Sequence, residues 1–97
     1  MNLFDYSIPE AGETFTTLFE YKNIKINRIV SSDKIVPTEY IQDEDEWVVV
    51  LEGRATVSMQ NKEIQLTKGD TLFIKAKTPH KVLKTLKDTL WLAIHIF

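Results

Sequence analysis

The sequence predicts an all-β chain, and three observations carry that prediction. Apolar and polar residues alternate with a period of two along short runs, those runs are rich in Val, Ile, Thr, Phe, Tyr and Trp, and the three glycines and three prolines fall between them. Strands have that period and that composition, and turns have those breakers. The only helical hint is a single turn near Pro9-Glu10-Ala11.

Nine strands follow in order. Residues 14–19 and 24–31 are rich in Thr, Phe, Ile and Val; residues 38–42 come after Pro37 and set Tyr40 and Gln42 on one face. Residues 46–51 run from a carboxylate, Glu46, through Val48-Val49-Val50-Leu51 to a glycine turn at Gly53. In residues 54–59, Ala55, Val57 and Met59 point one way and Thr56 and Ser58 the other. Residues 63–67, 71–74, 80–85 and 89–96 complete the set. The tight turns Glu52-Gly53-Arg54, Gln60-Asn61-Lys62 and Lys68-Gly69-Asp70 are expected to join neighbours as hairpins.

Two stretches, Val48 to Leu51 and Leu90 to Ile94, are apolar on both faces. Half-solvated strands would expose a large patch there, so each is expected to be covered twice: by the core, and by the amino-terminal segment with Phe15, Leu18 and Phe19 or a second copy of the chain. A homodimer is the expectation.

Ninety-seven residues make one domain, spanning 1–97, which can remove roughly 65% of the unfolded chain's surface from water. There are no cysteines, which excludes disulfides, thiolate metal sites and a catalytic thiol. The amino terminus lacks a basic region followed by an apolar core, and an intracellular, cytoplasmic protein is expected. The apolar runs are too short for a membrane span, and a formal charge of −2 gives no footprint for nucleic acid. A small-molecule, metal or protein partner is expected instead. No phosphate-cradling glycine loop, nucleophile elbow, paired-histidine helix or zinc-finger spacing is present.

The phrases Glu46-Trp47-Val48…Gly53, Gly69-Asp70, Pro79-His80-Lys81-Val82 and Trp91-Leu92-Ala93-Ile94-His95 resemble the paired motifs of the cupin superfamily. Motif one falls at about 37–53 and motif two at about 69–84. The resemblance implies a double-stranded β-helix, or jelly-roll, barrel with a pocket at one end. It also shows departures: the His-x-His of motif one falls on Tyr40-Ile41-Gln42, and the proline and glycine that usually precede the histidine of motif two are Lys75 and Lys77.

If the face bearing Trp91, Ala93 and His95 points into the barrel, Gln42, Glu46, His80 and His95 converge at its mouth. One carboxylate, two imidazoles and an amide oxygen form a donor set for Zn²⁺, Fe²⁺, Ni²⁺ or Mn²⁺, of modest affinity because an amide is a weaker ligand than imidazole. Tyr40 and Glu46 are the candidates for handling a proton. Blander readings stand beside each: Glu46 as the solvated end of the acidic run 43–46, His80 as a strand-start residue bonded to backbone, His95 as a satisfied edge residue, Gln42 as a cross-strand partner, Tyr40 as a cap. Of Trp47 and Trp91, one is expected outside and one against the cavity. Lys81, Lys84 and Lys87 read as a solvated edge. Two functions follow, a cupin binding a divalent metal or a small oxygenated molecule, with or without catalysis, and a metal-free ligand-binding, sensing or structural dimeric module.

Overall fold

A computed structural model describes residues 1–97, and every element is a strand. In order these are β1 (Glu13–Tyr21), β2 (Ile24–Ser31), β3 (Glu39–Tyr40), β4 (Asp45–Glu52), β5 (Arg54–Met59), β6 (Lys62–Thr67), β7 (Thr71–Ile74), β8 (His80–Thr85) and β9 (Thr89–Ile96). They form two antiparallel sheets, a five-stranded one in the order β1-β2-β9-β4-β7 and a four-stranded one in the order β3-β8-β5-β6. This is the jelly-roll barrel the motifs imply.

The alternation in the sequence decides which side of each strand faces the other sheet. On β4, Glu46, Val48 and Val50 are buried while Trp47, Val49 and Leu51 are half-buried on the outer face. On β9, Trp91 and Ala93 are buried on the inner face. With Val57 and Leu66 from the four-stranded sheet they make one core. The valine and leucine side chains among them each contribute about 1.5–3 kcal/mol by leaving water.

Two of the three expected hairpins are corrected. β4 and β5 lie in different sheets, as do β6 and β7, so the turns at Gly53 and Gly69 carry the chain from one sheet to the other. Period and turn residues locate the bends but not the partner, which in a jelly roll is often distant in sequence. The hairpin at Gln60-Asn61 stands, and both residues take positive φ, 54° and 61°. Those angles suit the two-residue turns that match strand twist.

β3 is also shorter than expected. It pairs with β8 only through Glu39 and Tyr40. The chain then bends into a loop where the Gln42 carbonyl accepts a hydrogen bond from Lys77 N at 2.7 Å.

The amino-terminal segment crosses the outer face of the large sheet. Arg28 Nη1 donates to the carbonyls of Leu3 and Asp5 at 3.1 and 3.0 Å, and Tyr6 Oη donates to Asp88 at 2.7 Å. Val30 and Leu90 on that face are fully buried.

Candidate functional site

Strand register assembles the site. Glu46 on β4 stands directly opposite His95 on β9 and Ile74 on β7, all on the inner face. Across the barrel, Tyr40 on β3 stands opposite His80 on β8. A cavity of about 160 Å³ between the sheets is lined by Tyr40, Gln42, Glu46, His80 and His95, with Trp91, Val48 and Val57 among its apolar walls. All five side chains singled out in the sequence therefore face one space, and Trp91 lines it while Trp47 lies outside.

Each imidazole is tethered through Nδ1. His80, buried at the start of β8, has Nδ1 2.9 Å from the Thr78 carbonyl. A carbonyl can only accept, so Nδ1 carries the proton, and Nε2 makes no hydrogen bond to the protein. The Tyr40 ring stacks on this imidazole with centroids 6.0 Å apart. His95 Nδ1 lies 2.9 Å from Glu44 Oε2, and its Nε2 stops 3.9 Å from Glu46 Oε2. The second separation is beyond a hydrogen bond.

The acidic run thus divides its work. Asp43 pairs with Lys77 at the surface, and this ammonium holds the Asp43 carboxyl below the usual carboxylate range. Glu44 clamps His95, Asp45 Oδ1 accepts from Ala76 N at 2.8 Å, and Glu46 is buried in the cavity.

Three contributors escape sequence reasoning. Glu44 looks like one more charge of a polar loop, and only the fold brings it under the terminal strand. Glu13 and Asn27 come from β1 and β2 and also line the cavity. Glu13 accepts a short hydrogen bond from Ser31 Oγ, which in turn accepts from Trp91 Nε1 at 3.0 Å. Burial pushes the Glu13 carboxyl above its usual range, against the opposing effect of the Ser31 hydroxyl. Parity with Phe15, which lines the same cavity, was the available signal.

Gln42 Nε2 is buried with no hydrogen-bond partner. Such atoms are rare in folded chains because leaving one unpaired costs about 1–3 kcal/mol.

The donor types and their tethering fit a borderline divalent cation: metal-ligating histidines commonly anchor the other ring nitrogen on a carboxylate or backbone carbonyl. No three His, Asp or Glu side chains, however, are gathered into a group that could hold an ion.

A family model described as a cupin domain matches residues 31–95. The fold aligns over 99% of this chain, at 32% identity and a TM-score of 0.86, with 95% of a structure from Ralstonia eutropha JMP134 proposed to be a mannose-6-phosphate isomerase. It aligns over 95% of the chain with 84% of a cupin superfamily protein from Desulfitobacterium hafniense DCB-2 (TM-score 0.83, 18% identity), and over 95% with 86% of KdgF from Halomonas sp. (TM-score 0.82, 17% identity). Those two likenesses are of fold alone. A 53-residue segment, 55% of this chain, is 36% identical to the uncharacterized protein MJ1618 of Methanocaldococcus jannaschii and spans 41% of that protein's length.

Proposed function

This chain belongs to the cupin domain family, and on that premise we propose that its cavity binds a small, neutral, oxygen-rich molecule. The observation that carries the reading is the convergence of two Nδ1-tethered imidazoles, a buried carboxylate and an unpartnered amide on one largely apolar space. Pockets of this make-up orient ligands through a few polar groups while apolar walls exclude water. The volume, about 160 Å³, is below the range of pockets for drug-sized ligands, which suits a molecule no larger than a small sugar.

The similarity to a structure proposed to be a mannose-6-phosphate isomerase suggests a sugar phosphate, but the lining argues against the phosphate. It contains Glu13 and Glu46 and neither lysine nor arginine. A phosphate ester would meet carboxyl groups where recognition calls for guanidinium or ammonium donors. A hydroxyl or carbonyl compound meets suitable partners in His80 Nε2, His95 Nε2, Glu46 and the Gln42 amide. In a reaction, Glu46 would accept a proton from the ligand and Tyr40 would return one.

A second reading is favoured by the Nδ1 tethers. His80, His95, Glu46 and Gln42 would hold a divalent ion, which when bound would supply Lewis-acid polarisation of a ligand oxygen. The chain's own part is then to orient both imidazoles and keep the walls dry.

Titration of the chelator-treated, isotope-labelled protein with dihydroxyacetone, D-mannose and mannose 6-phosphate tests the first reading. The two neutral compounds should shift the Trp91 indole and both histidine resonances, His80→Ala and His95→Ala should abolish the shifts, and the phosphate ester should bind more weakly. Preferred binding of the phosphate ester, or no response to any neutral compound, would sink it. A response only after Zn²⁺ or Ni²⁺ is added selects the second reading.

A further inference from the structure

The polar groups that face the cavity stand at two ends of it. At one end Glu46 and His95 are opposite each other on β4 and β9, and Tyr40 and His80 are opposite each other on β3 and β8. At the other stands Glu13, the first residue of β1, opposite Ser31 of β2, which is itself opposite Thr89 of β9. Six positions of β9 separate Thr89 from His95, which is about 20 Å of backbone. The walls between the two ends are apolar: Val48 and Trp91 from one sheet, Val57 and Val82 from the other. Asn27 also reaches the cavity between the ends, but its Oδ1 already accepts from Thr17 Oγ1 at 3.0 Å.

Hydrogen-bond directions fix what Glu13 offers. The Trp91 indole N–H can only donate, so Ser31 Oγ accepts it at 3.0 Å and turns its own single proton toward Glu13 Oε2. Oε2 is thereby an acceptor, while Oε1 makes no hydrogen bond to the protein. Any proton the carboxyl carries sits on Oε1, and burial favours that protonated form. No lysine or arginine lines the cavity to pair with the charged form instead. One oxygen is clamped and the other is available to a ligand. The ligand group that suits it in either protonation state is one that both donates and accepts, a hydroxyl.

We infer that the ligand carries an oxygen function at each of two ends joined by an apolar middle, with Glu13 binding the far hydroxyl while the end formed by Gln42, Glu46, His80 and His95 binds the near one. This assignment rests on the proposed reading of the cavity as a site for a small neutral molecule, within which Glu13 is the residue that selects among such ligands. A molecule with a single oxygen function engages the better furnished end and leaves the Glu13 carboxyl dehydrated without a partner, which weakens its binding. The apolar walls favour a hydrocarbon middle for the same reason that they exclude water.

Titration of the isotope-labelled full chain with terminal diols from butane to octane, each beside the primary alcohol of the same length, tests it. At one chain length the diol should bind about fivefold more tightly than its monoalcohol, the share of one net hydrogen bond, and should shift the Trp91 indole together with both histidines. Glu13→Ala should remove that advantage and leave the monoalcohol unchanged. Glu13→Gln, which keeps an acceptor for Ser31 and an amide for the far hydroxyl, should retain most of it. Equal affinities of diol and alcohol at every length, an advantage that survives Glu13→Ala, or a loss that Glu13→Ala imposes on both ligands alike, as a purely structural role predicts, would each overturn the inference. Failure of every diol while dihydroxyacetone or D-mannose still binds would overturn it and leave the proposed function standing, whereas failure of all of them would overturn both.

Discussion

His95 and Glu44 are joined at 2.9 Å although 51 positions separate them, one on the last strand and the other in the loop before β4. Side chains on both sides are largely buried, at 12% and 17% exposure, so solvent screens the contact little. The carboxylate therefore sets the tautomer and the tilt of the ring. In Glu44→Gln the ring loses that bias, and binding of Zn²⁺ or of a responding neutral ligand should fall by about 10–100-fold. Imidazole ¹⁵N shifts provide the structural readout: the parent should show His95 protonated at Nδ1 and the variant a tautomeric mixture. An unaltered tautomer would remove Glu44 from the site.

The two glycine turns differ in how much they depend on glycine. Both have left-handed backbones, with φ of 88° at Gly53 and 90° at Gly69. A Cβ on Gly53 would lie 2.7 Å from Thr89 Cα and 3.0 Å from the Asp88 carbonyl, whereas one on Gly69 meets nothing within 4 Å. Gly69→Ala should therefore cost about 1 kcal/mol, the backbone penalty alone. Gly53→Ala should cost about 2–4 kcal/mol, because backbone must also move. Urea unfolding of both variants checks the ordering, and equal losses would contradict it.

Legibility in the sequence followed the range of the interaction. β2, β5, β7, β8 and β9 have the bounds expected from alternation and breakers, since period and turn residues are local signals. The turns at Gly53 and Gly69 look like hairpins in the sequence but cross between sheets, because a turn does not encode which sheet receives the next strand. Gln42, Glu46, His80 and His95 could be singled out by motif spacing, and they do line one cavity. Glu13, Asn27 and Glu44 could not, because their contribution depends on register between distant strands. Lys77 illustrates the limit from the other direction. It stands where motif two of the family usually has glycine, yet its φ is 67°, so the turn is kept and a lysine bears the strain.

Glu13 gives the chain a pH signature of known sign. Burial raises its carboxyl above the ordinary 4.5. Just above that pH the folded chain keeps a proton that the unfolded chain has released, so stability falls as pH rises through this window and stays lower beyond the folded-state value. Glu13→Gln removes the effect. The variant should match the parent near pH 4 and melt at a higher temperature than the parent by pH 7. Scanning calorimetry across that range would show the divergence, and parallel curves would mean that the carboxyl is not desolvated.

Gln42 is the residue at which stability and binding are expected to part. Its buried Nε2 has no partner, and the amide stands where the second histidine of the family's first motif would be. Gln42→Met exchanges an unpaired polar group for an apolar one of similar length. It should stabilise the chain by about 1 kcal/mol, or 4–8 °C in melting temperature, and weaken any ligand that uses the amide. Gln42→His tests the other use of the position. Imidazole is the better donor to borderline ions, so Zn²⁺ and Ni²⁺ should bind about ten-fold more tightly, a gain of about 1.4 kcal/mol. Because Glu46 and His95 face each other across the same end of the cavity, adding Glu46→Gln should erase that gain. Calorimetric titration of the parent, the single variants and the double variant resolves the two cases. A gain that survives the loss of Glu46 would place the ion elsewhere. A Gln42→Met chain no more stable than its parent would mean that the amide is satisfied in solution and calls for no ligand at that point of the cavity.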